Sequence, residues 1–586
     1  MGLARVMAAG LEGIEAYPVE LEAWTTKGLP RMTVVGLPDA ALREARDRVR
    51  AAIRASGYEL PANATTINLA PARRRKEEGA AFDLPAALAI LAALDPPLVD
   101  RDRLRESAAL GELTLSGATR PIRGALAAGQ TLGELAAQTL NELGGWSEAG
   151  WSESGESESG RSESGESGVG GHRDPDRWLS GATGSRSAEA EVHVAGLPPP
   201  EARVRVRRLL VPVGNAVSAA IGAAGRLDVI GVRHLTEAVA YLSGRLHIEP
   251  VRVDVEAILR AASSEDDLDL RDVRGAAAAK RALVVAAAGG HDLLFVGPPG
   301  SGKTMLARRL PGLLPPLTLQ EVLEVSRIHG GVMGFDPDGG TGLVRRRPFR
   351  APHHTASYAA LVGGGSQPRP GEVSLAHHGV LFLDELPEFS ARTLESLREP
   401  LESRTITICR ARQSAVFPAG FQLVAAMNPC PCGFLGEPGH HCICPPARAE
   451  RYQARISGPL LDRIDLCARV SMPPIDLLQS LPPSDEPGTA IRKEEVAVAQ
   501  TIQLERAGCL NARLTGRDLI RTLDPTPAAR RTLTAASRKV RLTGRGLSKV
   551  QKIARTLADL EGGGRVDSDH IERAIHWRAR SPAKAA

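Results

Sequence analysis

The sequence has few aromatic residues and no long apolar run. Only 3% of its 586 residues are Phe, Trp or Tyr, which argues against the base-stacking surface that many single-strand-binding proteins use. No run of 18 or more apolar residues is free of charge, and the N-terminus MGLARVMAAGLEGIEAYPVE carries acidic residues where a signal peptide needs an apolar centre. These absences predict a cytoplasmic protein that has no membrane partner.

Cysteine is also scarce. The chain has seven cysteines, and four of them lie between positions 430 and 444. This clustering does not fit a disulfide framework in a reducing compartment. Hydrophobic content of 43% and charged content of 24% are ordinary for a globular protein, and the length predicts about three to four domains.

The most informative segment is an apolar strand at 293–296 that runs into a glycine-rich loop. The loop has the pattern G-x-x-x-x-G-K-[ST] and consists of Gly297, Pro298, Pro299, Gly300, Ser301, Gly302, Lys303 and Thr304. Glycines let backbone N–H groups turn toward a β-phosphate, which then lies at the positive end of the next helix. We expect Lys303 to reach the β- and γ-phosphates and Thr304 to hold Mg²⁺. The pattern predicts binding of ATP with Mg²⁺.

A second buried strand, about 80 residues after this phosphate loop, ends in two carboxylates. Residues 379–385 read GVLFLDE, and we expect Asp384 to orient Mg²⁺ and Glu385 to polarise the attacking water as general base. Acidic residues also end strands because they lie in solvated loops, but the preceding phosphate loop favours the catalytic interpretation. A third strand, FQLVAAMN, ends at Asn428, which is placed to align water against the γ-phosphate. Together these residues predict ATP hydrolysis.

Composition and periodicity divide the chain into three predicted domains, at 1–248, 249–476 and 477–586. In the first, MTVVGLP and TTINLAP are predicted strands, while AALREARDRVRAAIRASG and FDLPAALAILAAL have the apolar spacing of helices. A Ser/Glu/Gly repeat at about 142–190 cannot bury enough apolar surface to offset its ordering entropy, so we expect it to be disordered.

The C-terminal part is predicted to be helical and is basic. Helices are expected over 527–540, 544–561 and 567–579, the second of them starting after Thr543. Residues 490–586 contain 20 Lys or Arg against 10 Asp or Glu, a net charge of +10 in a chain whose total is +5. Such a segment fits contact with phosphate backbones, although an Arg-rich solvated helical surface is an equally open interpretation.

These motifs resemble those of AAA+ ATPases, and most closely the Mg-chelatase-like subfamily of ComM or YifB proteins. The match is carried by AAAGGHDLLFVGPPGSGKTMLARRLPGLLP, RPFRAPHHTASYAALVGGG, PGEVSLAHHGVLFLDELPEF, MNPCPCG, ISGPLLDRIDL and ARTLADLEG. The opening segment GLEGIEAYPVELEAWTTKGLPRMTVVGLPDAALREARDRVRAAI matches as well. The resemblance implies an α/β fold, with an AAA+ P-loop core and a helical C-terminal lid. An α+β Lon-protease-like (S5-like) domain is expected to precede them.

The resemblance also implies a function. It implies a homo-hexameric ring motor that hydrolyses ATP on branched or single-stranded DNA without sequence preference, as a branch-migration helicase in homologous recombination and natural transformation. Arg463 matches the arginine finger, which reaches the ATP of a neighbouring subunit. Arg545 matches the second sensor, and Arg555 is a weaker rival that we expect on a helix surface. A surface pairing of Arg463 with Asp462 and Asp465 stays open as an alternative.

Two other functions are weighed against this one. A magnesium chelatase ATPase subunit would share the core, but the fused N-terminal domain argues against it. An ATP-dependent protease is disfavoured because residues 79–83 read Gly-Ala-Ala-Phe-Asp where Lon carries its nucleophilic serine, and Leu126 stands at about the position of the base lysine. A Ser–Lys dyad therefore cannot be assembled.

The clustered cysteines predict a zinc site. Four thiolates at Cys430, Cys432, Cys442 and Cys444 would suit tetrahedral Zn²⁺, although the C-x-C spacing is shorter than the usual C-x₂₋₄-C. His440 or His441 could replace one thiolate, and packing as small apolar residues is the alternative. The remaining cysteines are expected to be ordinary buried thiols; they are Cys409, Cys467 and Cys509.

The polar segment RPFRAPHHTASYAALVGGG lies between the phosphate loop and the acidic strand. His353 and His354 invite a metal interpretation, but no third ligand stands at a convincing spacing. In a ring ATPase such a segment faces a neighbour or the central channel. We therefore expect these histidines, with Arg347 and Arg350, to touch DNA phosphates.

Overall fold

The computed structural model describes most of the chain. The described residues are 2–35, 39–60, 63–71, 79–144, 206–261, 268–333, 343–365, 368–410, 413–479, 486–540 and 542–579. The predicted Ser/Glu/Gly insert lies outside them, apart from its first three residues. Within these ranges, no helix combines the length and apolar character that crossing a bilayer requires.

The N-terminal part is built on a seven-stranded mixed sheet. Its strands are β1 (Gly2–Glu12), β2 (Glu15–Thr26), β3 (Met32–Val35), β4 (Ala64–Ala70), β5 (Ser107–Ala109), β8 (Arg208–Pro212) and β9 (Asp228–Val232), and a separate pair is formed by β6 (Glu112–Leu113) and β7 (Thr119–Arg120). The order across the sheet is β3-β4-β2-β1-β5-β8-β9. In the antiparallel ribbon of β1 and β2, buried residues alternate with more exposed ones, so one face of the ribbon is turned to the core.

Among the described residues of this part, six helices accompany the sheet. They are α1 (Asp39–Ala55), α2 (Asp83–Ala92), α3 (Arg101–Arg105), α4 (Ala125–Gly144), α5 (Val213–Ala223) and α6 (Leu235–Leu242). Every residue of α2 is buried, as expected of a helix that is apolar on all sides. The two helices and two strands that periodicity predicted in this part are confirmed as α1, α2, β3 and β4.

The middle of the chain forms a five-stranded parallel sheet. Its strands are β10 (Leu293–Val296), β11 (Phe349–Arg350), β14 (Val380–Leu383), β17 (Gln422–Met427) and β18 (Leu466–Arg469), in the order β11-β14-β17-β10-β18. All residues of β10, β14 and β17 are buried, because a parallel sheet in an α/β domain is covered on both faces. Two small antiparallel pairs lie outside it: β12 (Gly363–Gly364) with β13 (Arg369–Pro370), and β15 (Thr405–Arg410) with β16 (Gln413–Pro418). The predicted α/β fold of the core is confirmed.

The described ranges of this middle part contain twelve helices. They are α7 (Val255–Ala261), α8 (Ala277–Gly289), α9 (Lys303–Arg308), α10 (Leu310–Leu313), α11 (Leu319–Met333), α12 (Tyr358–Val362), α13 (Glu372–Leu375), α14 (Ala391–Ser396), α15 (Arg398–Ser403), α16 (Pro446–Gln453), α17 (Gly458–Leu461) and α18 (Ile475–Gln479). From Ala282 to Gly289, α8 is buried without interruption, since it packs against the sheet on one side and the C-terminal helices on the other.

The C-terminal part is helical, as predicted. Its helices are α19 (Thr489–Ala507), α20 (Gly516–Leu523), α21 (Pro527–Val540), α22 (Gly544–Leu560) and α23 (Ser568–Ala579). Thr543 caps α22, because its hydroxyl accepts a hydrogen bond of 3.1 Å from the Gly546 N–H. Helices α19 and α22 pack on α8, and α23 packs on β18. The three predicted C-terminal helices are thereby confirmed to within one residue at each end.

A buried polar network ties the C-terminal helices to the start of the core strands. Lys549 of α22 lies 2.8 Å from Asp465, and the ring of His291 contacts Asp465 at 3.1 Å and Thr556 of α22 at 2.8 Å. His291 lies two residues before the start of β10, and Asp465 directly precedes β18. The C-terminal helices are therefore anchored at the amino-terminal edge of the parallel sheet.

Candidate nucleotide-binding site

The phosphate loop follows the carboxyl end of β10, which lies between β17 and β18. Ligands of open α/β sheets bind at this edge, where the strand order reverses. The loop geometry requires glycine at several positions: Gly300 and Gly302 have φ angles of +78° and +87°, and a Cβ on Gly297 would overlap the carbonyl oxygen of Val470. The conformation of the loop thus follows from the glycines of the sequence motif.

Lys303 is buried in this loop. Its ammonium group donates to the carbonyls of Gly297 (2.8 Å) and Pro298 (2.7 Å) and to the Asn428 side-chain oxygen (3.2 Å). Burial lowers the pKa of Lys303, while the carboxylates of Asp384 and Glu385 oppose that shift. A desolvated ammonium gains more from an anion than a hydrated one does, so this group is suited to bind phosphate.

Other groups of the loop also fit a nucleotide with Mg²⁺. The Ser301 hydroxyl is buried and has no hydrogen-bond partner among the residues that the structure describes, and a phosphate oxygen would supply one. The Thr304 hydroxyl donates to Asp384 at 2.7 Å. Hydroxyl and carboxylate oxygens are the hard ligands that Mg²⁺ prefers. The residues predicted to hold ATP and Mg²⁺ are therefore brought together in a suitable arrangement.

Glu385 is held in an unusual position beside this site. Its φ angle is +51°, a left-handed conformation that costs energy for a residue with a side chain. The carboxylate is half-exposed and lies 3.1 Å from Nδ1 of His354. Sequence reasoning assigned His354 to DNA contact and missed this pairing. The sequence could have indicated this contact, because His354 and Glu385 follow β11 and β14, which are neighbouring parallel strands.

Arg463 lies far from the phosphate loop of its own chain. It precedes β18, whose last residue, Arg469, is paired with Val296 directly before the loop. The four residues of β18 alone separate the two edges of the sheet by about 10 Å. The guanidinium instead pairs with Glu402 at 2.5 Å and donates to the Pro459 carbonyl at 2.9 Å. The alternative of a salt-bridged Arg463 is thus met through Glu402, whereas Asp462 pairs with Arg578 and Asp465 with Lys549.

Arg545 lies beside Arg463. Its guanidinium is 3.8 Å from the same carboxylate oxygen of Glu402, and its side chain is 63% exposed. Arg555 is different: it is buried and pairs with Asp559 at 2.9 Å. The expectation that Arg555 lies on a helix surface was wrong, because its neighbour Asp559 is also buried and needs a cationic partner.

The expected DNA contacts of two arginines are not supported. Arg347 is largely buried and donates to the carbonyls of Pro315 and His378. Arg350 forms a two-pronged pair with Glu372, with distances of 2.6 and 2.8 Å. Both guanidinium groups are paired within the chain, so each would have to leave its partner to contact a DNA phosphate, and the DNA contact stays a prediction.

The four clustered cysteines lie together. Distances between sulfurs are 3.3 Å for Cys430 with Cys432, and 3.6 Å for Cys442 with each of these. The sulfur of Cys444 belongs to the same group, in which all ligand atoms are within 4.8 Å. The expectation of buried thiols elsewhere was wrong: Cys409 is exposed, and Cys467 and Cys509 are partly exposed.

The region matching the Lon dyad contains no nucleophile. Ala81 lines a cavity of about 10 Å³ together with Phe82, Ile122 and Gly124. Leu126 is buried in an apolar cluster that joins the N-terminal part to the core, with Ile221, Leu317, Val322 and Leu343. Neither Ala81 nor Leu126 offers a hydroxyl or an amine.

Comparison with known proteins gives consistent matches along the chain. Family descriptions of magnesium chelatase subunit ChlI match residues 21–140 and 269–477, and a description of the C-terminal part of that subunit matches 486–578. YifB of Salmonella typhimurium is 38% identical over 580 residues, covering 99% of this chain and 97% of YifB. Competence protein ComM of Haemophilus influenzae is 37% identical over 582 residues, with coverage of 99% and 98%. A Mycobacterium tuberculosis protein is also 37% identical, with 99% coverage of both chains.

Proposed function

Because the chain belongs to the ComM/YifB family of Mg-chelatase-like AAA+ ATPases, we propose that it is a ring-shaped ATP-hydrolysing motor that drives branch migration of DNA. Lys303 and Thr304 would hold the phosphates and Mg²⁺ in this reaction. Glu385 would leave His354 and polarise the attacking water, which Asn428 would align. One relative of the chain bears the name competence protein ComM, and the family resemblance links that name to DNA.

The separation of Arg463 from its own phosphate loop carries the proposal that the active form is a ring. A guanidinium at the amino-terminal edge of the sheet cannot approach phosphates bound at the carboxyl edge of the same sheet. The Arg463 guanidinium can therefore approach only the phosphates bound by a neighbouring subunit, after its ion pair with Glu402 has broken. Arg545 shares Glu402, so the same reasoning places it beside the neighbour's nucleotide. A hexamer is the assembly that the family resemblance implies.

The exposed positive charge of helix α21 supports the proposal that DNA is a partner. Four cations on this helix are exposed; they are Arg530, Arg531, Arg538 and Lys539. Some other cations of the C-terminal part are paired with carboxylates, such as Arg506 with Asp559 and Arg573 with Glu561. Exposed cations attract phosphates of any sequence, and the binding weakens with salt.

Mixing two inactive variants tests the ring. Lys303→Ala removes the phosphate-binding cation and Arg463→Ala removes the finger, so each homogeneous ring should be inactive. A mixed ring contains some sites with an intact loop on one side and an intact finger on the other. Partial recovery of ATPase activity is expected on mixing. Mixed rings that form without any recovery would place Arg463 outside catalysis in trans.

DNA action is tested with a labelled four-way junction. Wild-type protein with ATP should move the branch point, and DNA should stimulate hydrolysis. Replacing the four exposed cations of α21 by Gln should weaken DNA binding and flatten its salt dependence. Replacing Arg565 and Arg573, which pair with Asp524 and Glu561, is the matched control and should change DNA binding less.

The second candidate function is that of a magnesium chelatase ATPase subunit, favoured by the descriptions of the matching families. It would couple the same hydrolysis to insertion of Mg²⁺ into a porphyrin. Failure on every branched DNA, together with normal ATPase activity, would move this function to first place.

A further inference from the structure

The loop that carries the four cysteines is built like a metal-binding knuckle. In the turn Cys430-Pro431-Cys432-Gly433, the Gly433 N–H donates to the Cys430 carbonyl at 3.0 Å. Gly433 has a φ angle of +89°, which lets the chain turn back without strain.

The spacing of the sulfurs matches a tetrahedral metal and not a disulfide. Sulfurs bound to one Zn²⁺ at about 2.3 Å lie about 3.8 Å apart along the edges of a tetrahedron. The observed separations of 3.3 to 3.6 Å are near that edge, and far above the bond length of a disulfide, about 2.05 Å. The four sulfurs therefore form a complete ligand set.

Packing as small apolar residues accounts poorly for this loop. Cys430 is buried, but the other three cysteines are partly exposed. Ile443 stands between two of them and is 78% exposed, so the loop has little apolar core of its own. His440 stacks on Phe434 with ring centroids 4.9 Å apart and is outside the sulfur group, which favours four thiolates over a mixed ligand set.

The cysteine loop also contacts the nucleotide site. Asn428, two residues before Cys430, accepts from Lys303. Gly433 lies so close to Pro299 of the phosphate loop that a Cβ at position 433 would overlap the proline ring. The far side of the loop is attached to the core, because Arg469 donates to the Leu435 carbonyl and the Met472 N–H donates to Glu437.

We propose that Cys430, Cys432, Cys442 and Cys444 bind one structural Zn²⁺, and that the zinc-bound loop holds Asn428 and the phosphate loop in their nucleotide-binding positions. Metal binding would supply the stability that the loop cannot obtain from apolar burial. The second part rests on the nucleotide binding of the proposed function, whereas the first part does not.

The metal is tested on the full-length chain purified without chelators. Elemental analysis should give about one zinc per chain, and X-ray absorption should give four sulfur ligands at about 2.3 Å. Bound iron in place of zinc, absence of metal, or a nitrogen ligand in the spectrum would overturn the assignment. These measurements need no variant, so misfolding of a cysteine variant cannot obscure them.

Variants locate the ligands. The double substitution Cys430→Ser with Cys432→Ser should lose zinc. The triple substitution Cys409→Ser, Cys467→Ser and Cys509→Ser is the matched control and should retain it, as should His440→Ala with His441→Ala. Zinc retained by the first variant, or lost from either control, would contradict the ligand set.

The coupling to nucleotide is tested in the triple-Ser background, where the only thiols are the four proposed ligands. Zinc is removed with a mercurial reagent and then restored, and the affinity for a fluorescent ATP analogue is measured at each stage. Removal should weaken binding by about tenfold or more, and restoration should reverse it. Unchanged affinity after zinc removal would overturn the coupling. A zinc-loaded protein that binds no nucleotide would instead contradict the proposed function and leave the zinc site standing.

Discussion

The N-terminal part and the ATPase core both place a glycine-containing turn before a helix that packs on a sheet. In the N-terminal part this turn is Gly79–Phe82 before α2, and in the core it is the phosphate loop before α9. The buried carboxylate at the first turn, Asp83, is committed to Arg48 and to the Leu113 N–H. The buried cation at the second turn, Lys303, contacts two carbonyls and an amide oxygen, and within the described part of the chain it forms no ion pair with a carboxylate.

A helix packed on a sheet can therefore stabilise the fold in one region and bind a ligand in another. A buried charge that is neutralised within the chain stabilises one packing arrangement and has little left to offer a ligand. A buried charge without a counterion gains when an anion arrives. The N-terminal turn therefore has the character of a scaffold, while the core turn has that of a binding site. Substitutions in each region can break or sharpen the comparison.

The largest effect is expected for Lys303→Ala. Removing the ammonium group takes away the charge that faces the phosphates, so ATP binding should become undetectable in equilibrium titration. Lys280→Ala is the matched control, because Lys280 is also buried but pairs with Glu486. It should reduce stability and preserve nucleotide affinity. Wild-type affinity in the Lys303 variant would refute the phosphate-binding role.

Glu385→Gln should separate binding from turnover. The amide cannot act as a base, so ATP affinity should be kept while the hydrolysis rate falls by about 10²- to 10⁴-fold. Steady-state ATPase assays and nucleotide titration measure the two quantities. Glu388→Gln in the same turn, where Glu388 pairs with Arg455 at the surface, should hydrolyse normally. Near wild-type turnover by the Glu385 variant would show that the base is another group.

In the N-terminal part, Arg48→Ala should affect stability and not nucleotide binding. Removing one partner leaves the buried Asp83 carboxylate uncompensated, at a cost of about 3 kcal/mol, the lower end of the range for buried pairs because Arg48 is partly exposed. Arg46→Ala on the same helix breaks a surface pair with Asp47 and should cost at most about 1 kcal/mol. Calorimetric unfolding measures both, and equal losses would contradict the distinction.

The loss of stability in Arg48→Ala should also depend on pH. Burial raises the pKa of Asp83 from 3.8 to about 6, although Arg48 opposes the shift. The folded chain thus binds a proton that the unfolded chain lacks between about pH 4 and 6, and this group's contribution to stability falls as pH rises through that window. Without Arg48 the pKa rises further. The loss in Arg48→Ala should therefore be larger at pH 8 than at pH 5, and a loss independent of pH would contradict this account.

The smallest expected effect is none: the N-terminal part should have no peptidase activity. Ala81 and Leu126 supply neither nucleophile nor base. Casein incubated with the protein and ATP should stay intact. Degradation that survives full purification and is lost on substitution in the N-terminal part would contradict the scaffold interpretation.

Particular residues show how far the sequence could be interpreted alone. The helix that starts after Thr543 was predictable because a capping residue and the apolar period are local signals. The pairing of Thr304 with Asp384 was also within reach, since both residues follow strands of one parallel sheet. The ion pair of Arg350 was not predicted, because its partner, Glu372, is 22 positions away and no local sequence pattern indicates it. The burial of Arg555 was missed for a related reason, since its exposure depends on packing around α22.

The sequence by itself determined the chemistry of the phosphate loop, since its glycines, lysine and threonine act through backbone geometry that is encoded within eight positions. It likewise determined that four thiols lie close along the chain. Only the tertiary structure decided that Arg463 and Arg545 meet at Glu402, at the edge of the sheet away from the phosphate loop. It also decided that Glu385 contacts His354, and that the cysteine loop packs on Pro299. These contacts depend on strand order and direction, which bring together residues that no short segment of the sequence connects.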